Sequence, residues 1–113
     1  MTNNRIDYIE FKANDQEKIK SFYADCFGWS FKDYGPDYTS FSDGKLNGGF
    51  ERTNDKIMSG ALVVLYHDDL DGIRLSIINS GGEISKEIFS FPGGKRFHFL
   101  DPSGNELAVW SDK

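Results

Sequence analysis

Three side chains of this 113-residue sequence stand out as candidates for proton transfer: Glu10, His98 and Tyr8. A carboxylate held among aromatic rings loses solvation, and its pKa then rises toward the range of a general acid or base. Glu10 is the candidate for that role. Its alternative is a charge pair with Arg96 or Lys12, or a place at a wet rim. His98 could move a proton near neutral pH, or serve as a hydrogen-bonded structural residue. Tyr8 and Tyr66 carry hydroxyls that either reach a ligand or are satisfied within the core. His67, at a strand end before Asp68 and Asp69, reads as a surface residue.

Other chemistries find no support. Gly93-Gly94-Lys95 lacks the remaining spacing and the strand-to-helix setting of a phosphate loop. There is no Gly-x-Ser-x-Gly elbow. The clusters Asp15/Glu17 and Asp68/Asp69/Asp71 stand at helix starts, where the helix dipole favours negative charge, and need no calcium. A single cysteine, Cys26, excludes an intrachain disulfide, and no Cys/His cluster has zinc spacing. Cys26 is expected to pack as a small hydrophobe near a helix end.

The net charge of −5 disfavours nucleic acid, and scattered Lys and Arg give no basic block for a membrane surface. Residues 1–5 are polar, unlike a signal peptide, and the longest apolar run, 61–66, is too short to span a bilayer. A reduced, cytoplasmic protein is expected. Ten Phe, five Tyr and two Trp supply enough bulk for one domain with a real core.

The elements that must position these groups follow from periodicity. Residues 5–13 alternate, with Ile9, Phe11 and Ala13 on one side and Tyr8, Glu10 and Lys12 on the other. Asn14 or Asp15 caps a helix carrying Ile19, Phe22, Tyr23, Cys26 and Phe27 inward, ended by Gly28. Strands are expected over 29–34, 38–42 and 46–52, the last weakened by Gly48 and Gly49. Residues 53–59 read as a linker between a module at about 1–52 and a second at about 60–113. The second repeats the order: a strand over 60–67, a helix capped by Asp68 or Asp69 and ended at Gly81-Gly82, then strands over 83–91, 95–100 and 105–111. Each half is therefore strand, helix, three strands. That order makes an α+β layer of curved mixed sheets with helices on the outer face.

These stretches resemble the vicinal oxygen chelate (glyoxalase/bleomycin resistance protein/dioxygenase) superfamily. IDYIEFKANDQEKIKSFYADCFGWSF is similar to its opening strand, helix and second strand, with FYxxxFGW typical. RFHFLDPSGNELAVW is similar to its closing hairpin. The resemblance implies a single domain of two β-α-β-β-β modules. It also implies either metal-dependent isomerases, lyases and dioxygenases, or metal-free proteins that sequester small molecules. The family's metal ligands correspond here to Tyr8, Gly48 or Gly49, Leu62 and Ala108. A neutral phenol is a weak ligand and the others offer no donor, so no metal and no cofactor is expected.

The same correspondence turns Tyr8 and Glu10 toward a concave face, and with them Leu62, Val64 and Tyr66. In the closing hairpin, a three-residue loop Pro102-Ser103-Gly104 sets Asp101 against Asn105. Leu100 then pairs with Glu106, His98 with Ala108, and Arg96 with Trp110. Phe97, Phe99, Leu107 and Val109 take the opposite, apolar face. The face expected to bind substrate thus carries Tyr8, Leu62, Val64, Tyr66, Arg96, Glu106 and Trp110, with Glu10 and His98 as catalytic candidates.

Three functions fit. The first is a metal-independent binder of a small, partly aromatic molecule. The second is a lyase or isomerase using Glu10 on a small carbonyl compound. The third is a non-catalytic, dimerising module with a vestigial pocket. A small-molecule ligand and a homodimer are the expected partners.

Overall fold

The structure is a computed structural model that describes residues 1–113. Its elements run β1 (Ile6–Ala13), α1 (Gln16–Phe27), β2 (Ser30–Asp33), β3 (Tyr38–Ser42), β4 (Asn47–Arg52), β5 (Leu62–Tyr66), α2 (Leu70–Asn79), β6 (Glu83–Phe91), β7 (Gly94–Leu100) and β8 (Glu106–Ser111). This is the expected α+β fold of two β-α-β-β-β modules. The chain divides into a unit of Tyr8–Ala61 and a unit of Met1–Asp7 with Leu62–Lys113. The N-terminal residues join the latter because Asn4 N–H donates to the Tyr66 carbonyl and Tyr66 N–H to that of Arg5.

In the first unit the strands lie in the order β2-β3-β4-β1. β1 pairs with β4 in parallel, and the other neighbours are antiparallel. Asp15 caps α1 by accepting from the Lys18 N–H, and Gly28 ends it with φ 72°. Phe11, Ala13, Phe31, Phe41 and Phe50 share the face under α1, where Ile19, Tyr23 and Trp29 meet them. Trp29 stacks on both Tyr23 and Phe41 at 4.5 Å between ring centroids.

The inward stripe expected of α1 needs correcting. Only Ile19 and Tyr23 of that set reach the core. Phe22 is 52 % exposed, Phe27 63 %, and Cys26 is exposed as well. The five positions spread over a wide arc of the helix, and only the part of it that carries Ile19 and Tyr23 is turned to the sheet.

The second unit has the order β5-β8-β7-β6, with β5 and β8 parallel. Asp69 caps α2 by accepting from the Gly72 N–H. Leu70, Ile73 and Ile77 of α2 pack on Phe97, Val109, Leu65 and Phe99. His67 also differs from expectation: its side chain is largely buried, and its Nδ1 accepts from the Asp69 N–H, bracing the helix start.

The closing hairpin has the expected register, with Arg96 opposite Trp110, His98 opposite Ala108 and Leu100 opposite Glu106. Asp101 N–H donates to the Asn105 carbonyl at 2.9 Å, and Gly104 takes φ 90°. The Asp101 carboxylate gathers the Ser103 and Asn105 N–H groups and the Asn105 amide, and these bonds hold it below the usual carboxylate pKa.

Candidate functional site

Strand alternation in the first unit places Tyr8, Glu10 and Lys12 on the face away from α1. Across the sheet they meet Asn47, Gly49 and Glu51 of β4, which in turn face Ser42, Ser40 and Tyr38 of β3. Lys12 forms an ion pair with Glu51.

Glu10 is buried, at 6 % exposure. The Tyr38 hydroxyl donates to its Oε2 at 3.0 Å, and the Tyr8 and Tyr38 hydroxyls lie 2.6 Å apart. Tyr38 has one proton to give; with that proton on Glu10, Tyr8 donates to Tyr38. Burial, then the negative charge of Glu10 and the bond to Tyr8, push the Tyr38 pKa far up. Tyr38 therefore stays a donor at all physiological pH, and the three groups form a chain of hydrogen bonds.

Gly49 makes this possible. A Cβ there would fall 2.1 Å from the Tyr38 hydroxyl and 2.5 Å from that of Tyr8. Gly48 serves the opposite face, where a Cβ would fall 2.3 Å from the Ile9 carbonyl and from the Phe41 ring. The two glycines that weaken β4 as a strand are thus the places where aromatic side chains cross it closely.

In the second unit the register puts Val64, Tyr66, Arg96, His98, Ala108 and Trp110 on the face away from α2. Leu62 opens β5 on that side by alternation, and Glu106 stands opposite Leu100 at the far end of β8. The Tyr66 hydroxyl donates to Asp112, whose carboxylate raises the tyrosine's pKa. Trp110 Nε1 donates to Asp7 at 2.9 Å. His98 Nδ1 faces Glu106 Oε2 at 3.5 Å, and Ser85 donates to the same carboxylate oxygen at 3.0 Å. Burial, then the positive Arg96, lowers the His98 pKa, with Glu106 opposing, so the ring is neutral at pH 7.

Sequence reasoning missed Tyr38, Phe89 and Phe91. Tyr38 reads as an ordinary strand residue beside a turn. Phe89 and Phe91 lie in β6, whose register shifts twice between Ile84 and Phe89. Arg96 lies over both rings, Lys86 over Phe89, with His98 beside Phe89 and Trp110 beside Phe91.

The positions that the resemblance matches to the family's metal ligands carry Tyr8, Gly48 or Gly49, Leu62 and Ala108. The space a side chain at Gly49 would occupy is filled by two phenol groups. A hydrogen-bonded phenol and three positions without a donor do not fit a divalent ion.

The model of the Glyoxalase/Bleomycin resistance protein/Dioxygenase superfamily matches residues 5–109. Among solved structures, a superfamily member from Vibrio splendidus 12B01 is 18 % identical, with TM-score 0.71 over 95 % of this chain and 97 % of its own. Methylmalonyl-CoA epimerase from Mycobacterium tuberculosis is 11 % identical, with TM-score 0.73 over 98 % of this chain and 92 % of its own. The Mn(II)-bound glyoxalase from Novosphingobium aromaticivorans is 24 % identical, with TM-score 0.70; the match covers 97 % of this chain but 39 % of that protein. At these identities the likeness is one of fold. No curated protein matches the chain in sequence.

Proposed function

Because this chain belongs to the glyoxalase/bleomycin resistance protein/dioxygenase superfamily, we propose that it is a metal-independent binder of a small, partly aromatic molecule. The observation that carries the reading is the buried Glu10 carboxylate joined through Tyr38 to Tyr8 on a sheet face that packs no helix. A buried carboxylate is costly to retain, and core packing does not call for one there. Tyr8 and Glu10 are the proposed binding groups of the first unit. In the second unit they are Leu62, Val64, Tyr66, Arg96, His98, Glu106 and Trp110.

The hydroxyl chain also favours a second reading, a lyase or isomerase with Glu10 as general base. Tyr38 orients the carboxylate, and a base must be fixed within reach of the proton it takes. Solvent-deuterium exchange into a bound carbonyl compound separates turnover from binding.

The test of the main reading is a thermal-shift screen with divalent metals and small metabolites, run on the wild type and Glu10→Gln. A ligand at a hundred times its Kd stabilises by about 2.7 kcal/mol. We expect a metabolite, and no metal, to raise the melting temperature. Glu10→Gln should weaken that response at least tenfold while folding stability changes by less than about 1 kcal/mol, since the amide is nearly isosteric. Stability lost by several kcal/mol, on the order of breaking a buried pair, with the ligand response intact would assign Glu10 to structure. Stoichiometric metal in protein purified without chelator would overturn the metal-free reading.

The proposed setting is the cytoplasm, where an exposed free thiol such as Cys26 stays reduced. No helix is long and apolar enough to cross a membrane.

A further inference from the structure

His67 sits in the second unit where the end of β5, the start of α2 and the segment of residues 3–7 meet. Its side chain is 18 % exposed, and its Nδ1 accepts the Asp69 N–H at 2.9 Å. A ring nitrogen that accepts carries no proton, so the neutral imidazole holds its proton on Nε2. The Asp68 carboxylate lies close to the same nitrogen, with Oδ1 at 3.6 Å.

These two neighbours ask opposite things of Nδ1. The Asp69 N–H needs a lone pair, whereas the carboxylate needs a donor. A protonated imidazole has a hydrogen on both nitrogens and no lone pair, so it cannot keep the Asp69 N–H. Asp68 Oδ1 is then the nearby acceptor, and a bond from a charged ring to a carboxylate is stronger than the neutral one given up. That carboxylate already has a use. Asn3 Nδ2 donates to Asp68 Oδ1 at 3.1 Å, and Asn3 Oδ1 accepts the Asp68 N–H at 3.0 Å.

Asn3 begins a run of bonds that clasp β5 and β8. Asn4 N–H donates to the Tyr66 carbonyl at 2.8 Å, and Tyr66 N–H to that of Arg5 at 3.2 Å. The Trp110 indole donates to Asp7, and the Trp110 carbonyl accepts the His67 N–H at 3.0 Å. We propose that His67 is a pH-operated latch on this segment. Neutral, the ring braces the start of α2 and leaves Asp68 to Asn3. Protonated, it turns to Asp68 and frees residues 3–7, with the Trp110 indole that they fix. The charged groups at this junction are Asp68 on the turn, Asp69 and Asp71 at the start of α2, Arg5 on the segment, and Asp112 after β8, which the Tyr66 hydroxyl reaches. The latch itself needs no ligand. Its consequence, weaker binding at Tyr66 and Trp110 in acid, rests on the binding function proposed above.

The experiment follows the full 15N-labelled chain by NMR from about pH 8 to pH 5, the range over which histidines ordinarily change charge. It reads amide exchange, corrected for intrinsic rates. Near pH 8 His67 should be the Nε2–H tautomer, with the Asn4, Tyr66 and Asp69 amides protected. As the ring titrates, protection of these amides and of the Trp110 indole should fall at least tenfold in one step. His67→Asn, whose amide oxygen can take the place of Nδ1 and does not titrate, should hold protection throughout. Asn3→Ala should lose it at Asn4 and the indole even near pH 8, while Asp69 stays closed. The step should persist in His98→Gln, which removes the other histidine. An Nδ1–H tautomer near pH 8, a step that survives in His67→Asn, or opening of Asp69 while Asn4 and the indole stay closed overturns the latch. So does the absence of a step in the wild type and His98→Gln, which tests the latch even if His67→Asn does not fold. Because no ligand is added, that failure is distinct from failure of the binding function, which the thermal-shift screen decides.

Discussion

Tyr38 and His98 illustrate how the chemistry of single residues depends on what surrounds them. Tyr38 keeps its proton because burial and the adjacent Glu10 charge disfavour a phenolate. Removing that hydroxyl leaves a buried carboxylate oxygen short of one donor, so Tyr38→Phe is expected to destabilise by about 1–3 kcal/mol in urea denaturation. A change within error would mean that the bond to Glu10 contributes nothing to folding. For His98 the sign runs the other way. Its folded pKa lies below the ordinary histidine value of 6.5. Below that value the unfolded chain binds more protons than the folded one, so stability should fall as pH drops from about 6.5 toward the lowered pKa and be level above it. Denaturation midpoints measured across that window should flatten in His98→Gln. An unchanged slope would place the acid sensitivity elsewhere.

At the scale of elements, α1 shows how amphipathic spacing overstates burial. Ile19 and Tyr23 reach the core, whereas Phe22, Cys26 and Phe27 remain in solvent. Native protein should therefore react with one equivalent of a thiol reagent without denaturant, and Cys26→Ser should change stability by less than about 0.5 kcal/mol. A thiol that labels only after unfolding would restore the inward stripe. β6 makes the complementary point for strands. Ile84 pairs with core-facing Phe99 and Lys86 with His98, although both are even-numbered, because the register shifts between them. A second shift returns Phe89 to the face of Arg96. Simple alternation counted from Ile84 would misplace Lys86, which lies between the two shifts.

At the scale of the molecule, β2 and β6 end their sheets without a partner on the outer side. Unpaired edges are a liability that proteins cover by pairing, charge or assembly. We propose a homodimer, whose symmetric pairing covers such an edge. Sedimentation velocity at high micromolar concentration should give the mass of two chains, and a monomer there would count against it.

The division between what was legible in the sequence and what was not follows the range of the forces involved. Strand-helix-strand order, a cap at Asn14 or Asp15 and another at Asp68 or Asp69, the Gly28 stop and the Asp101–Asn105 hairpin are local. Each depends on contacts within a few residues, so side-chain type and spacing suffice to read them. Because the hairpin register is local too, the placing of His98 and Trp110 on one face followed from loop length. The Tyr8–Tyr38–Glu10 chain was not legible, because Tyr38 reaches Glu10 across the Cβ-free surface of Gly49, between strands 28 residues apart in sequence. Nor was the packing of Lys86 and Arg96 over the Phe89 ring, since it joins side chains of two strands whose register shifts between Ile84 and Phe89. The burial of Glu10 and His98, and with it the chemistry open to them, is a property of long-range packing that tertiary structure alone decides.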